Sequence, residues 1–478
     1  MGSFRHHIWG RREIADSEGA AENKELRVLR SEIQAVTGEI FHKIKHRMEL
    51  AQKIGEIKAK LGMDVTDDQV ESEIRMSVLS LAHQIGLDPS YSSRLLNLLL
   101  IESVGLQRKQ KTVEHASSHM DVLMKAKQIE ASGMPMVHLE IGEPDFRPPR
   151  SIKDAFANAI DSGRHHYTDA RGIERLREKL ALIHGFTKET VMVTPGGRFG
   201  VYASIASLLK PGEEIVVIEP SWPAYSDCAA LNSVKVKTIK TTLENQWSPD
   251  VHEIDNAIND ATKMIVLNYP NNPTGKILDT DTNERIISLA REHDLYILSD
   301  EVYSKYCVKK FKSIAEYNYD KSIVIESFSK TYAMTGFRLG YLLSSALIVK
   351  QVAKLLAFAM TSVAEPLQYC ALNALETDYV TNVEETRIRL HTLVERLKKM
   401  DVRFAIPDGS MYVYPRINTK SLDDNTLVNL LLEKGVAVAP GSAFGNSYNK
   451  FIRISATQPA DQIEQAMNVL ETCLSKKI

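Results

Sequence analysis

The chain has almost no net charge: Lys and Arg number 59, Asp and Glu 61, and the formal net charge is −2. That balance lacks the basic footprint needed to grip nucleic acid or an anionic membrane surface. Cysteine is scarce. Cys228, Cys307, Cys370 and Cys473 lie far apart with no C-x-x-C pair, so neither a zinc ribbon, another metal site nor a disulfide framework is expected, and the usage fits a reducing, cytoplasmic compartment. Long apolar runs are missing. Even residues 95–101 are interrupted by Asn97, well short of the roughly 18 residues of a membrane span. Residues 1–23 have scattered charges and no apolar signal region, and read as a disordered leader. There is no low-complexity segment or internal repeat, and no proline between residues 24 and 61.

What is present is length enough for two or three domains, 478 residues. In residues 24–61, Leu26, Leu29, Ile33, Val36, Ile40, Ile44, Met48, Ala51 and Ile54 fall at helical spacing. One helix of about 55 Å is expected at 1.5 Å per residue. A second helix is expected from near Asp67, carrying Ile74, Val78, Leu81 and Ile85. A third is expected over about 90–110, through Leu95, Leu96, Leu99 and Val104. Three helices with one far longer than the rest cannot bury that long helix alone, so an intertwined dimer is expected. On the long helix, Arg47 and Lys58 are eleven residues apart, about 20° from eclipsed at 100° per residue, and share a face. Arg30 points elsewhere, while Asp67 with Glu71, and Ser103 with Gln107, are i,i+4 pairs.

Residues 24–111 resemble the all-helical chorismate mutase family, through Leu29-Arg30, Arg47-Met48-Glu49-Leu50-Ala51, Gly55-x-x-Lys58, Val65-x-Asp67-x-x-x-Glu71 and Ser103-x-x-x-Gln107. The resemblance implies rearrangement of chorismate to prephenate, a pericyclic shift that needs no nucleophile and no proton transfer. The catalyst holds a dicarboxylate compact and stabilises charge on the breaking ether oxygen. Arg30 of a partner copy and Arg47 would grip the carboxylates, Lys58 and Gln107 the ether oxygen, and Glu71 the hydroxyl. Asp67 and Ser103 join the substrate-binding set. The chain departs from the family at Val70, where an arginine is common, which leaves open a binding-only, regulatory domain.

Residues 112–478 read as alternating strands and helices. Strands are expected at 137–141, 191–194, 215–218, 264–267, 296–298, 322–326 and 341–343, with helices at 119–129 and 198–209 and a helical stretch over 348–379. Several expected strands run into polar motifs: Gly142-Glu143-Pro144-Asp145, Gly196-Gly197, Pro220-Ser221-Trp222, Asn268-Tyr269-Pro270-Asn271-Asn272-Pro273, Asp300-Glu301-Val302-Tyr303 and Ser327-Phe328-Ser329-Lys330. The end of a strand is where an open α/β sheet puts its ligand. Lys330, expected on a loop, is either a solvated charge or an amine that forms a Schiff base with an aldehyde cofactor.

This second part resembles the fold-type I pyridoxal-phosphate enzymes, class I and II aminotransferases in particular. The resemblance implies an α/β large domain with a mostly parallel sheet at about 160–345, and a smaller α+β domain at about 115–159 plus 346–478. It implies pyridoxal 5'-phosphate held covalently on Lys330, with Gly196, Gly197, Ser327 and Arg338 at the phosphate. Tyr167 would cross to a neighbour's phosphate. Trp222 would lie flat against the ring, Asp300 would salt-bridge the ring nitrogen, and Asn272 and Tyr303 would hydrogen-bond the phenolic oxygen. Arg453, in Phe451-Ile452-Arg453-Ile454-Ser455, which resembles a family strand, would clamp the substrate carboxylate, with the Gly142 backbone nearby. Arg198 either meets a second substrate carboxylate or faces solvent.

Together the two resemblances imply a homodimeric, bifunctional enzyme acting on chorismate, amino acids and keto acids. The amino donor would be aspartate or glutamate. The acceptor would be prephenate, phenylpyruvate or an oxaloacetate/2-oxoglutarate-type keto acid. The alternatives are an aspartate or aromatic aminotransferase with a sensing mutase domain, a pyridoxal-phosphate lyase, and an aminotransferase-like transcription regulator.

Overall fold

The computed structural model describes residues 17–61, 68–111, 118–400, 402–418 and 422–475, and in these the chain forms two compact units, residues 1–115 and 116–478.

The first unit is three helices: α1 (Ser17–Leu61), α2 (Asp68–Gln84) and α3 (Pro89–Lys111). α1 starts at Ser17, inside the expected leader; residues 1–16 lie outside the described residues. The apolar stripe of α1 is only partly covered. Ala51 is buried, while Ile33, Val36, Ile40 and Phe41 are all more than half exposed.

The second unit opens with α4 (His119–Ala131), whose start is fixed by a capping box between Ser118 and Asp121. β1 (Val137–His138) follows, then α5 (Arg150–Asp161) and α6 (Glu174–His184). The main sheet takes β2 (Val191–Thr194), α7 (Gly197–Leu208) packs on it, and it continues with β3 (Glu214–Glu219), β4 (Lys235–Lys240), β5 (Thr262–Asn268), β6 (Tyr296–Asp300), β7 (Ser322–Ser327) and β8 (Gly340–Ser344). Its order is β2-β8-β7-β6-β5-β3-β4. β3 to β7 are parallel, and β8 is antiparallel to both β7 and β2. This is the mostly parallel sheet expected.

A second core joins α4 and β1 to β9 (Tyr412–Val413), β10 (Val436–Ala437), β11 (Ala439–Pro440) and β12 (Ile452–Ser455), with the helices Val380–Lys399, Asp424–Leu432 and Ala460–Ser475. Three expectations change. The strand expected at 137–141 pairs with β10 over two residues only. The helical stretch 348–379 is two helices, Ala346–Met360 and Glu365–Ala374, broken at Thr361 with φ 69° and restarted at Pro366. Those helices, expected with the smaller domain, pack on the large-sheet core through Ile348, Val352 and Cys370, as α5 does through Ile152.

Candidate active site

The carboxyl ends of the parallel strands meet in one cavity of about 290 Å³. β7 ends at Ser327, whose Oγ accepts from the Ser329 N–H at 3.1 Å and so starts a one-turn helix, Phe328–Thr331. Lys330 therefore sits in a helical turn rather than a loop, and its Nζ donates to the Gly142 carbonyl. Gly142 has no room for a side chain: a Cβ there would fall 1.7 Å from the Tyr412 hydroxyl oxygen. Glycine is required by that approach, which brings the Gly142 carbonyl to the lysine.

One end of the cavity is built for an anion. Gly197 and Ser327 line it at the N-terminus of α7, where unpaired N–H groups and the helix dipole favour negative charge. Arg338 lines it too, and Gly196 makes space for that guanidinium. Its φ is 87°, and a Cβ would lie 2.6 Å from Arg338 Nη2.

Beyond it lies a buried carboxylate. Asp300, at the end of β6, accepts from the Tyr225 hydroxyl at 2.8 Å. Burial pushes its carboxyl up to about 6, against the pull of the Tyr225 bond. A cation arriving there would restore its ordinary ionisation. Trp222, half-buried, also lines the cavity and meets Tyr225 edge-on at 5.5 Å. The Tyr303 hydroxyl bonds Tyr412 at 2.8 Å.

The far wall carries the cations. Arg453 on β12 is 2 % exposed. It is fixed by Asn272 Oδ1 at 2.9 Å and by the Glu140 carbonyl, with Tyr412 and Phe444 rings stacked within 4.9 Å of the guanidinium carbon. Asn272, expected at a cofactor oxygen, thus also orients the arginine. Arg198 lines the cavity, its guanidinium 4.6 Å over the Trp222 ring, rather than being turned wholly to solvent. Tyr167 is 85 % exposed and does not line the cavity of its own chain. Among the wall residues with no part assigned from the sequence are His119, Tyr225 and Tyr412. Tyr225, three residues past Trp222, was within reach of sequence reasoning; His119 and Tyr412 carry no local signal.

In the first unit Arg47 donates to the Leu99 carbonyl at 2.6 Å and to Ser103 Oγ, and burial lowers its pKa. Two expected site residues on different helices are thus joined. Glu71 is held by Arg75, one turn on, at 2.8 Å, and Arg75 also reaches Asn97 on α3. Neither Arg75 nor Asn97 was expected. Arg30 is exposed and Lys58 half-buried on α1, Asp67 lies outside the described residues, and so does the side chain of Gln107. Val70 is half exposed on α2.

An anion cradle, an amine, a buried carboxylate and an arginine clamp in one cavity fit a phosphorylated aldehyde together with an amino acid, the class of enzyme that works through pyridoxal phosphate. Comparisons with known proteins agree. Residues 134–470 match the family "Aminotransferase class I and II", and residues 29–108 match "Chorismate mutase type II". An aspartate aminotransferase of Pyrococcus horikoshii is 35% identical over 71% of this chain and 90% of its own. An aromatic-amino-acid aminotransferase of Thermococcus litoralis is 33% identical over 72% of this chain and 92% of its own. Among solved structures, an aspartate aminotransferase of Thermotoga maritima superposes with TM-score 0.72 at 32% identity, covering 76% of this chain and 98% of that one. The chain belongs to the class I and II aminotransferases, with a chorismate mutase type II domain ahead of the aminotransferase part.

Proposed function

We propose that this chain is a bifunctional enzyme of aromatic amino acid biosynthesis. Its first unit rearranges chorismate to prephenate. Its second moves an amino group from aspartate or glutamate to a keto acid, prephenate and phenylpyruvate being the acceptors that fit the fusion. The observation that carries the reading is the convergence of Lys330, Arg453 and Arg198 on one cavity, in a chain that also bears a mutase domain.

Gly196, Gly197, Ser327 and Arg338 would hold the cofactor's phosphate, Asp300 its ring nitrogen, Asn272 and Tyr303 its phenolic oxygen, and Trp222 its ring face. Bound there, pyridoxal phosphate supplies an aldehyde that accepts the amino group and a ring that withdraws electrons from the substrate α-carbon. Arg453 pairs in plane with the α-carboxylate, which fixes the α-carbon beside Lys330. The Lys330 amine would then take the proton from that carbon and hand it on, as base and then acid, across the 1,3-shift that amino transfer needs. Arg198 meets the distal carboxylate of a dicarboxylic donor. Relatives named as aspartate and aromatic aminotransferases agree with a cavity that takes both kinds of side chain.

In the first unit Arg47 and Ser103 would grip a chorismate carboxylate, with Lys58 and Gln107 at the ether oxygen, Glu71 at the hydroxyl and Arg30 supplied by a second copy. The exposed apolar face of α1 supports that second copy, because Ile33, Val36, Ile40 and Phe41 otherwise face water. The second reading, a mutase domain that senses rather than converts, is favoured by Val70 alone.

Single substitutions separate the two activities. Lys330→Ala is expected to lower amino transfer by at least roughly 10²–10⁴-fold with chorismate turnover intact. Arg47→Ala is expected to lower chorismate turnover by roughly 10²–10³-fold with amino transfer intact. Steady-state assays of both reactions on both variants decide; amino transfer surviving Lys330→Ala contradicts the assignment.

A further inference from the structure

His119 stands first in α4, held there by the Ser118 cap, and its imidazole lines the active cavity. The residue is 9 % exposed, its ring stacks on Phe444 at 6.3 Å, and its buried Nδ1 has no hydrogen-bond partner among the described residues. A buried ring nitrogen left unpaired is costly unless something else in the site satisfies it. Arg453 from β12, Arg198 from α7 and Lys330 from the turn after β7 face it, and Asp121 on its own helix is the nearby anion. Burial first, and then those three cations, push the imidazole down to about 3, so it is neutral at any ordinary pH.

We infer that His119 is a recognition residue for the substrate side chain: it hydrogen-bonds the distal carboxylate of a dicarboxylic amino or keto acid and takes up a proton from solvent as that carboxylate binds. The charge arithmetic is direct. The α-carboxylate neutralises Arg453 and the distal carboxylate neutralises Arg198, which removes most of the cationic repulsion and leaves burial as the cost to be offset. A carboxylate in contact then favours the imidazolium. A ring-bearing monocarboxylate neutralises only Arg453, so the imidazole stays neutral beside Phe444 and offers an aromatic wall. One cavity thereby serves an acidic donor and a ring-bearing acceptor, with a proton marking which is bound. The inference rests on the reading of the donor as aspartate or glutamate.

The test is isothermal titration of the pyridoxal-phosphate-loaded enzyme at pH 6, in buffers of different ionisation enthalpy. The probes are maleate as an unreactive dicarboxylate and hydrocinnamate as a ring-bearing monocarboxylate. Wild type is expected to take up more protons with maleate than with hydrocinnamate. His119→Gln, which hydrogen-bonds without titrating, should keep most of the maleate affinity and lose the extra proton. His119→Phe, which keeps the stack on Phe444, should lose the proton and about ten- to a hundredfold in maleate affinity, while hydrocinnamate binds as before. If wild type and both variants bind maleate with the same affinity and proton count, His119 has no such role, although the dicarboxylate reading stands. If wild type binds hydrocinnamate but not maleate, the dicarboxylate reading fails and this inference falls with it.

Discussion

Beneath the site, three carboxylates are buried at the ends of neighbouring strands, and the chemistry uses only one of them. Burial pushes Asp300 up to about 6, Glu301 to about 7 and Glu326 to about 8, with Ser304 donating to Glu326 at 2.7 Å. Each binds its proton more tightly folded than unfolded. Between the ordinary carboxylate range and pH 8 the folded cofactor-free protein therefore holds more protons than the unfolded chain, and stability is lost as pH rises through that window. Glu326→Gln removes the highest of these titrations and still accepts from Ser304. Melting of the cofactor-free protein from pH 5 to 9 is expected to show a flatter decline in the variant, with a gain on the order of 1 kcal/mol at pH 9. Identical pH slopes would contradict this. Residues of this kind mark the limit of sequence reading. Lys330 and Asp300 were legible because each stands in a strand-end motif, and Arg453 through the family resemblance, whereas His119 acquires its meaning only from Arg453 and Arg198, which the fold brings to it across the chain.

Elements were legible where burial is two-sided. β5, β6 and β7 are apolar runs flanked by neighbours on both sides, and sequence located each of them to within two residues at either end. β4 went unread because it is an edge strand with Lys235, Lys237 and Lys240 along it, a charged edge that resists further pairing and hides the apolar signal. The break at Thr361 was equally silent, since nothing in Ala359-Met360-Thr361-Ser362 announces a positive φ. The element most exposed to test is the N-terminus of α7. Gly196→Ala places a methyl 2.6 Å from the Arg338 guanidinium, at a φ that side chains resist. Cofactor affinity, read from absorbance on titrating the cofactor-free variant, is expected to fall about tenfold or more, the worth of one charged hydrogen bond. Unchanged affinity would remove this end as the phosphate cradle.

At the scale of the whole molecule the two units make different demands. The aminotransferase unit closes its own cores, and Tyr167 stands exposed outside the cavity of its own chain. The mutase unit leaves its longest helix half covered and Arg30 exposed, as expected of a domain completed by a second copy. That the fusion joins consecutive reactions is the central claim, and it was legible only from two motif sets read together. The most direct measurement incubates the pyridoxal-phosphate-loaded protein with chorismate, with and without aspartate or glutamate, followed by mass spectrometry after a neutral quench. Prephenate without donor, and its aminated product or phenylalanine with donor, is the predicted result. Chorismate left untouched in both arms would contradict it, leaving an aminotransferase whose first unit senses or dimerises.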